Sequence, residues 1–340
     1  MPRGMNLKFR ILLATAAALL GVFAFFLWNG AAPGDALPME KVVLATSNEM
    51  LSTLIFVAQH ENFFKREGLA VDIVTTPTGK DALAMALAGR TDFAAVATYP
   101  LTLAILNGTR PHIIATIAKS DHAFDIVTTT GGGIRQVSDL RGKTVAARRD
   151  TGFEFFLDAA LIDADVSPSE IAVSDLSPNA ALMALTRGSV DAAVLPSPVN
   201  EDMLQHSGGT VVLRVPPNYT THWNIVASDG MMTARPAIAA RLVRALLDAD
   251  AFTERNAEQA MSDTAIPLHI AQQYVLAHWA EYVFRVQLPQ SLIVAMEDET
   301  RSVNVRRDSK SPAMPTPNFL DFLDVEPLSK AKPDAIRITR

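Results

Sequence analysis

Apolar residues along the chain follow two patterns, which together predict helices alternating with buried strands. Short continuous apolar runs at 42–45 and 113–117 are typical of strands covered on both faces. Longer stretches with helical spacing lie between such runs, for example 51–64 and Pro236–Arg255. Strands that alternate with helices favour an α/β fold containing parallel strands.

The same pattern predicts further elements. The additional predicted strands are 71–74, 124–128, a strand ending at 146, and 223–228. The additional predicted helices begin at Asp81 and cover 153–162 and 267–279. The tail from Pro312 is rich in proline and is predicted to be partly irregular.

One passage occurs twice, as GRTDFAAV at 89–96 and as GSVDAAV at 188–194. In each copy a helix-like stretch ends at a glycine, an aspartate lies in the turn, and a buried strand follows. The sequence therefore predicts the same helix-to-strand unit in two sheets. Open α/β sheets bind ligands at the carboxyl ends of their strands, so two facing sheets would form a clamp.

Composition limits the class of protein. The 340 residues leave about 300 after an N-terminal segment, which is enough for two domains with their own cores. The net charge is −6, and residues 1–36 carry three basic residues and one acidic residue, so the remainder carries −8. This acidity argues against nucleic-acid binding. The absence of cysteine excludes disulfides, thiolate metal sites, a cysteine nucleophile and a cysteine-linked lipid anchor.

The N-terminus has the pattern of an export signal. Basic residues end at Arg10, an uncharged and mostly apolar run covers 11–28, and small residues follow, with Ala32 or Ala36 as the residue before cleavage. The apolar run could instead be retained as a membrane anchor, because it is long enough to cross a bilayer. In either case the body of the protein is expected in the periplasm.

Four passages resemble a known family: FFKREGL at 63–69, the two glycine-to-aspartate turns, DLRGKTVA at 139–146 and NFLDF at 318–322. They are similar to passages of the periplasmic binding proteins of nitrate, sulfonate, taurine and thiamine-pyrimidine ABC importers. The resemblance implies a two-lobed, type II-like periplasmic-binding-protein fold, in which each lobe is a mixed sheet flanked by helices. Lobe 1 would comprise 37–121 and 224–340, lobe 2 would be the inserted 122–223, and the ligand cleft would lie between them.

The resemblance also implies a function. The chain would be a monomeric, non-enzymatic binding protein without cofactor or metal, which clamps a small anion or heterocycle and delivers it to an ABC permease. Hinge closure of this kind couples ligand binding to a change of shape. Two alternatives stay open: a membrane-anchored ligand sensor, and a relative of the pyrimidine synthases that share this fold. The synthases carry a cysteine-rich motif associated with iron, which this chain lacks.

Positions carried over from the family predict a ligand site at strand ends and helix starts. Hydroxyls and unpaired backbone N–H groups at helix N-termini bind anionic oxygens, so this site would need no buried arginine. The predicted ligand-binding residues are Ser47, Asn48, Thr78, Gly79, Thr98, Tyr99, Asp121, His122, Thr151, Gly152, Ser177, Asn179, Ser197, Trp223 and Asn224.

Several of these residues also have a simpler interpretation. The rings of Tyr99 and Trp223 could stack on a planar ligand, or they could be ordinary core aromatics. Asp121 and His122 could contact an amine, or they could form hydrogen bonds at the hinge. A hydrolase is not indicated, because the sequence has no Gly-x-Ser-x-Gly elbow. A phosphate loop is not indicated either, because Val137 occupies a position at which that loop requires glycine.

Overall fold

A computed structural model describes residues 39–197, 209–213, 215, 219–306 and 312–339. The predicted export signal or anchor at 1–36 lies outside these residues. In the part of the chain that is described, no helix is both long and apolar enough to cross a membrane.

Twelve strands are present among the described residues. They are β1 (Glu40–Ser47), β2 (Leu69–Thr76), β3 (Phe93–Ala97), β4 (His112–Ser120), β5 (Phe124–Thr129), β6 (Thr144–Ala146), β7 (Ala172–Ser174), β8 (Ala192–Pro196), β9 (Thr210–Leu213), β10 (Thr221–Ala227), β11 (Tyr282–Pro289) and β12 (Ile336–Arg337).

The described residues also form twelve α-helices. Many of them alternate with strands in the first two thirds of the chain, and several follow one another after β10. They are α1 (Thr53–His60), α2 (Phe63–Arg66), α3 (Gly79–Leu87), α4 (Thr98–Leu106), α5 (Gly152–Asp163), α6 (Pro178–Thr186), α7 (Asp229–Ala234), α8 (Pro236–Arg255), α9 (Ala257–Leu268), α10 (Gln272–His278), α11 (Gln290–Arg306) and α12 (Glu326–Ala331).

The strands form two mixed sheets. The first has the order β12-β11-β4-β10-β3-β1-β2, and the second has the order β7-β6-β8-β5-β9. In the first sheet β1 pairs in parallel with β2 and β3, whereas β10 is antiparallel to β3 and β4. The second sheet takes its strands from 124–213, and the first takes its strands from 40–120 and 221–337. The exact boundaries of the two lobes stay a prediction.

Both copies of the repeated passage fold in the same way. Gly89 and Gly188 end their helices with φ of 66° and 69°, a conformation that favours glycine. The Asp92 backbone N–H donates to the carbonyl of Val43 (2.9 Å), and the Val43 N–H donates to the Asp92 carboxylate (2.8 Å). Asp191 makes the same two bonds with Thr144, at 2.9 and 2.8 Å. Each aspartate thus fixes the start of its strand against a parallel neighbour.

Two helix predictions are wrong in detail. The predicted helix at 51–64 is divided into a 3₁₀ turn, α1 and α2; the break between α1 and α2 occurs because Asn62 adopts a left-handed conformation with φ of 59°. The predicted helix at 267–279 starts too early. Pro267 lies in the last turn of α9, His269 is left-handed with φ of 56°, and α10 begins at Gln272. The helix Pro236–Arg255 has the predicted bounds.

We expect that Asp92→Ala lowers the free energy of unfolding by about 1–3 kcal/mol, because the partly buried N–H of Val43 loses its acceptor. Asp92→Asn should cost less, since its amide oxygen still accepts this bond. Chemical denaturation measures both changes. Asp72→Ala, at an exposed position of β2, is the matched control. Equal effects at Asp72 and Asp92 would contradict this role of the turn aspartate.

Candidate functional site

A cavity of about 160 Å³ lies where the two sheets approach each other. One wall follows the carboxyl ends of β1 and β2, and the other contains the start of α6 and the end of β8. Four predicted ligand-binding residues line it: Ser47, Asn48, Ser177 and Asn179. The other lining residues are Glu49, Thr75, Thr76, Pro77, Pro178 and Pro196. The cavity therefore has the place that the α/β fold predicts for a ligand.

The start of α6 presents free polar groups to this cavity. Ser177 occupies the N-cap position, but its hydroxyl makes no capping hydrogen bond. Asp175 instead accepts hydrogen bonds from the backbone of Arg149 (3.0 Å) and the guanidinium of Arg148 (3.2 Å). By contrast, Thr78 and Thr151 cap α3 and α5 with their side chains. The first turn of α6 therefore retains hydrogen-bonding capacity for a ligand.

The opposite wall contains a buried carboxyl group that the sequence reasoning missed. Glu49 is only 8% exposed, and the Ser47 hydroxyl donates a hydrogen bond of 2.6 Å to it. Burial raises the pKa of Glu49 to about 7, although the bond from Ser47 acts in the opposite direction. An acidic residue two positions beyond the end of a buried strand was the available signal, but the burial of its carboxyl group depends on residues distant in sequence, such as Tyr282.

Glu49 is the only ionisable residue among the described residues that line the cavity. The neighbouring Asn48 is held by its own contacts: its amide donates to the carbonyl of Pro267 (2.9 Å) and accepts from the Thr75 hydroxyl (3.5 Å). The described part of the wall therefore combines one carboxyl group with neutral hydroxyl and amide groups and includes no lysine, arginine or histidine.

Other contacts join the two sheets outside the cavity. The Lys80 ammonium, next to the start of α3, lies 2.8 Å from the carboxylate of Asp150 and 3.2 Å from the carbonyl of Arg149. The ring of Phe155 on α5 packs between Tyr99 (5.0 Å between centroids) and Tyr219 (4.6 Å). These contacts hold the sheets close together in the conformation described.

The predicted hinge residues lie at the crossings between the sheets. The Asp121 carboxylate accepts a hydrogen bond of 2.5 Å from the Thr220 hydroxyl, which ties the two crossings together. The backbone N–H of His122 donates to the Ser120 hydroxyl (2.9 Å), and both Asp121 and His122 are exposed. The carbonyl of Ser197 accepts from the Tyr282 hydroxyl (2.7 Å), which joins the end of β8 to β11.

The remaining predicted residues are mostly buried. Trp223 is 1% exposed, and a Cβ added to Gly79 would lie 2.7 Å from its ring. Gly152 packs in the same way against the ring of Phe124, at 2.8 Å. Tyr99 is 3% exposed. Replacing Tyr99 or Trp223 by alanine is therefore expected to lower the stability of the ligand-free protein, as for ordinary core aromatics.

Thr98 and Asn224 are also buried. The Asn224 side chain accepts from the Thr116 hydroxyl (2.7 Å) and donates to the carbonyl of His222 (3.2 Å). These bonds account for its polar groups within the first sheet. A ligand contact by these two residues stays a prediction from the sequence.

One group among the described residues could offer three ligand atoms to a metal ion: His60, Glu61 and Asp263, whose atoms lie within 4.8 Å of one another. Nδ1 of His60 lies 2.8 Å from the carboxylate of Asp263, which also accepts a bond of 2.8 Å from Gln259. These contacts are sufficient to explain the cluster as a connection between α1 and α9.

Comparison with known proteins gives a family match. The model of the family described as NMT1/THI5 like matches residues 50–260. A relative from Brucella abortus (strain 2308), named as a binding protein, is 22% identical over 218 residues, which are 63% of this chain and 67% of the relative.

Solved structures share the fold at low sequence identity. The alkanesulfonate-binding protein SsuA of Xanthomonas axonopodis pv. citri, bound to MOPS, has a TM-score of 0.73 and 20% identity, covering 85% of this chain and 99% of that one. SsuA of Escherichia coli, a periplasmic aliphatic sulphonate binding protein, has a TM-score of 0.62 and 20% identity, covering 78% and 91%. The desulfurization enzyme DSZB has a TM-score of 0.62 and 14% identity, covering 86% and 98%. The predicted two-lobed fold is confirmed.

The raised pKa of Glu49 predicts a pH-dependent stability. Because the ordinary pKa of a glutamate is 4.5 and that of Glu49 in the fold is about 7, the folded chain binds this proton more tightly, and stability falls as the pH rises between those values. Glu49→Gln removes this titration and keeps an acceptor for Ser47. The free energy of unfolding of the variant, relative to the original protein, should therefore increase by about 3 kcal/mol across that interval and then level off.

Chemical denaturation at a series of pH values measures this difference. Burial also raises the pKa of Glu299, to about 8, but that group titrates in both proteins and cancels in the comparison. Glu258→Gln, at an exposed position on α9, is the matched control and should follow the original protein at every pH. A stability difference for Glu49→Gln that does not vary with pH would contradict the burial of a titrating carboxyl group.

Proposed function

The chain belongs to the NMT1/THI5-like family, and from this premise we propose that it is the substrate-binding protein of an ABC importer. It binds a small organic oxyanion in the cavity between its two sheets, and a sulfonate is the favoured ligand. Nitrate and pyrimidine-like heterocycles are the competing ligands.

The observation that carries this proposal is the position and lining of the cavity. It lies at the carboxyl ends of β1 and β2, opposite the uncapped start of α6, and hydroxyl and amide groups line it together with the carboxyl group of Glu49. Donors at a helix start bind oxyanions because they are unpaired within the helix and lie at the positive end of its dipole. The binding of sulfonates by the similar SsuA proteins supports this choice of ligand class.

The proposal includes a location and a partner. As in periplasmic proteins of similar fold, the body would act in the periplasm, as a monomer, and would deliver its ligand to a permease in the inner membrane. Closure of the two sheets over the ligand would be the signal that the permease recognises. The contacts of Lys80 with Asp150, and of Phe155 with Tyr99, support a closed form in which the sheets meet.

An enzyme of the DSZB kind is the second candidate, because that enzyme has the same fold. One of its structures is a cysteine-to-serine mutant in complex with biphenyl-2-sulfinic acid. The present sequence contains no cysteine, so no reaction that uses a cysteine nucleophile is open to it. We therefore favour binding without catalysis.

Titration calorimetry of the full-length protein tests the proposed function. The ligands to compare are alkanesulfonates, taurine, nitrate and an aminopyrimidine, and we expect a sulfonate to bind with one site per chain. Ser177→Ala should raise the dissociation constant about five- to tenfold, the effect of losing one hydrogen bond to a charged group. It should leave the unfolding temperature unchanged, because the hydroxyl caps no helix.

Ser189→Ala is the matched control, at an exposed position beyond the other end of α6. It should bind the same ligand as tightly as the original protein. Absence of binding across all four classes would contradict the proposed function. Equal weakening by both serine substitutions would instead place the ligand away from this cavity.

A further inference from the structure

We propose that a charged clasp between the two sheets keeps the protein closed before a ligand binds and sets how fast the ligand enters and leaves. The clasp consists of Lys80 and Asp81 at the start of α3 and of Arg148 and Asp150 in the loop that follows β6. All four are positioning residues, because none of them is among the residues that line the cavity. The inference rests on the proposed function and adds a gate to its ligand site.

Two ion pairs of opposite polarity cross between the sheets. The Lys80 ammonium lies 2.8 Å from the carboxylate of Asp150 and also donates a hydrogen bond of 3.2 Å to the carbonyl of Arg149. In the other direction, the Arg148 guanidinium lies 3.7 Å from the carboxylate of Asp81. Each side of the clasp therefore carries one cation and one anion, and each charge faces its opposite across the cleft.

The clasp is connected to both walls of the cavity. The guanidinium of Arg148 also lies 3.2 Å from the carboxylate of Asp175, two residues before the N-cap of α6. Asp81 accepts a hydrogen bond of 2.8 Å from the hydroxyl of Thr78, which directly follows the lining residue Pro77. Arg148 thus joins the start of α3 to the loop that leads into α6. Opening the clasp would separate the two walls of the ligand site.

A modest attraction is sufficient for this role. Ion pairs in contact with water are individually weak, because water and salt screen them. The balance between an open and a closed form, however, shifts tenfold with about 1.4 kcal/mol. Each contact of the clasp joins two groups of the protein itself, so the clasp can form before a ligand binds. A ligand reaches a cavity between the sheets through the open form, so a favoured closed form slows both entry and exit.

Salt separates the clasp from the aromatic contact between the sheets. The ring of Phe155 packs between Tyr99 and Tyr219, and sodium chloride does not screen such an apolar contact. Exposed charges, by contrast, interact over ~10 Å at ~0.1 M salt and over only ~3 Å at ~1 M. Added salt should therefore lower the population of the closed form to the level that the aromatic contact maintains.

Distances between two spin labels test the clasp without a ligand. The chain has no cysteine, so Leu87→Cys on α3 and Met183→Cys on α6, both at exposed positions, give two defined labels. Lys80→Met together with Asp81→Asn removes both ion pairs, keeps the net charge, and leaves the Thr78 hydroxyl an acceptor. In this double variant we expect longer distances to gain weight, with the ratio of closed to open form about tenfold lower at low salt.

The rates of ligand exchange test the gate. Ethanesulfonate is the probe, and rapid mixing with the full-length protein measures its association and dissociation. In the double variant both rates should be about three- to tenfold higher, while the dissociation constant changes by less than about threefold, because the clasp hinders entry and exit alike. At ~1 M sodium chloride the two proteins should exchange ligand at rates within about twofold of each other. Loss of a residue that contacts the ligand would instead raise the dissociation constant.

Lys330→Met together with Glu326→Gln is the matched control. It removes an ion pair of 2.5 Å within α12, so the change in charge is the same, but this pair does not join the sheets. Its label distances and exchange rates should equal those of the original protein.

The two measurements can fail separately. Unchanged label distances in the double variant, or an equal change in the control, would overturn the inference and leave the proposed function standing. Faster dissociation with unchanged association would also overturn it, because the closed form would then require the ligand. If the distances shift as expected but ethanesulfonate does not bind the original protein, the clasp is supported and the sulfonate of the proposed function is contradicted.

Discussion

The two crossings of the chain between the sheets are the constraint on which the rest of the structure depends. The chain leaves the first sheet after Ser120 and returns to it at Thr221, and a hydrogen bond between Asp121 and Thr220 joins the two crossings. This bond holds the two connections side by side. This arrangement places the carboxyl ends of β1 and β2 opposite the start of α6 and so creates the cavity.

The chemistry of the cavity depends on polar groups of its wall that are not fully used by contacts within the protein. The start of α6 has a serine in the capping position whose hydroxyl does not cap, whereas the starts of α3 and α5 are capped by threonines. Glu49 is buried without a cation beside it among the described residues. Both groups line one cavity, where a ligand can form hydrogen bonds with them.

Local patterns in the sequence predicted the fold well, because neighbouring residues determine where helices, turns and strands begin and end. The glycine, aspartate and apolar strand of the repeat specify a helix end, a turn and a strand start, and the hydrogen bonds of Asp92 and Asp191 show the two copies folded alike. The candidate site was less predictable. Four of fifteen predicted residues line the cavity, and Glu49 was missed, because side-chain burial and direction are set by elements far apart in sequence. The break at Asn62 likewise depends on one left-handed residue.

A ligand bound between the ends of β1 and β2 and the start of α6 is the feature on which the proposed function stands. A crystal structure of the full protein with its calorimetrically identified ligand tests it most directly. We expect ligand density in contact with Ser177 on one side and Glu49 on the other. Density elsewhere in the cleft, for example against the rings of Tyr99 and Phe155 with this cavity filled only by water, would contradict it.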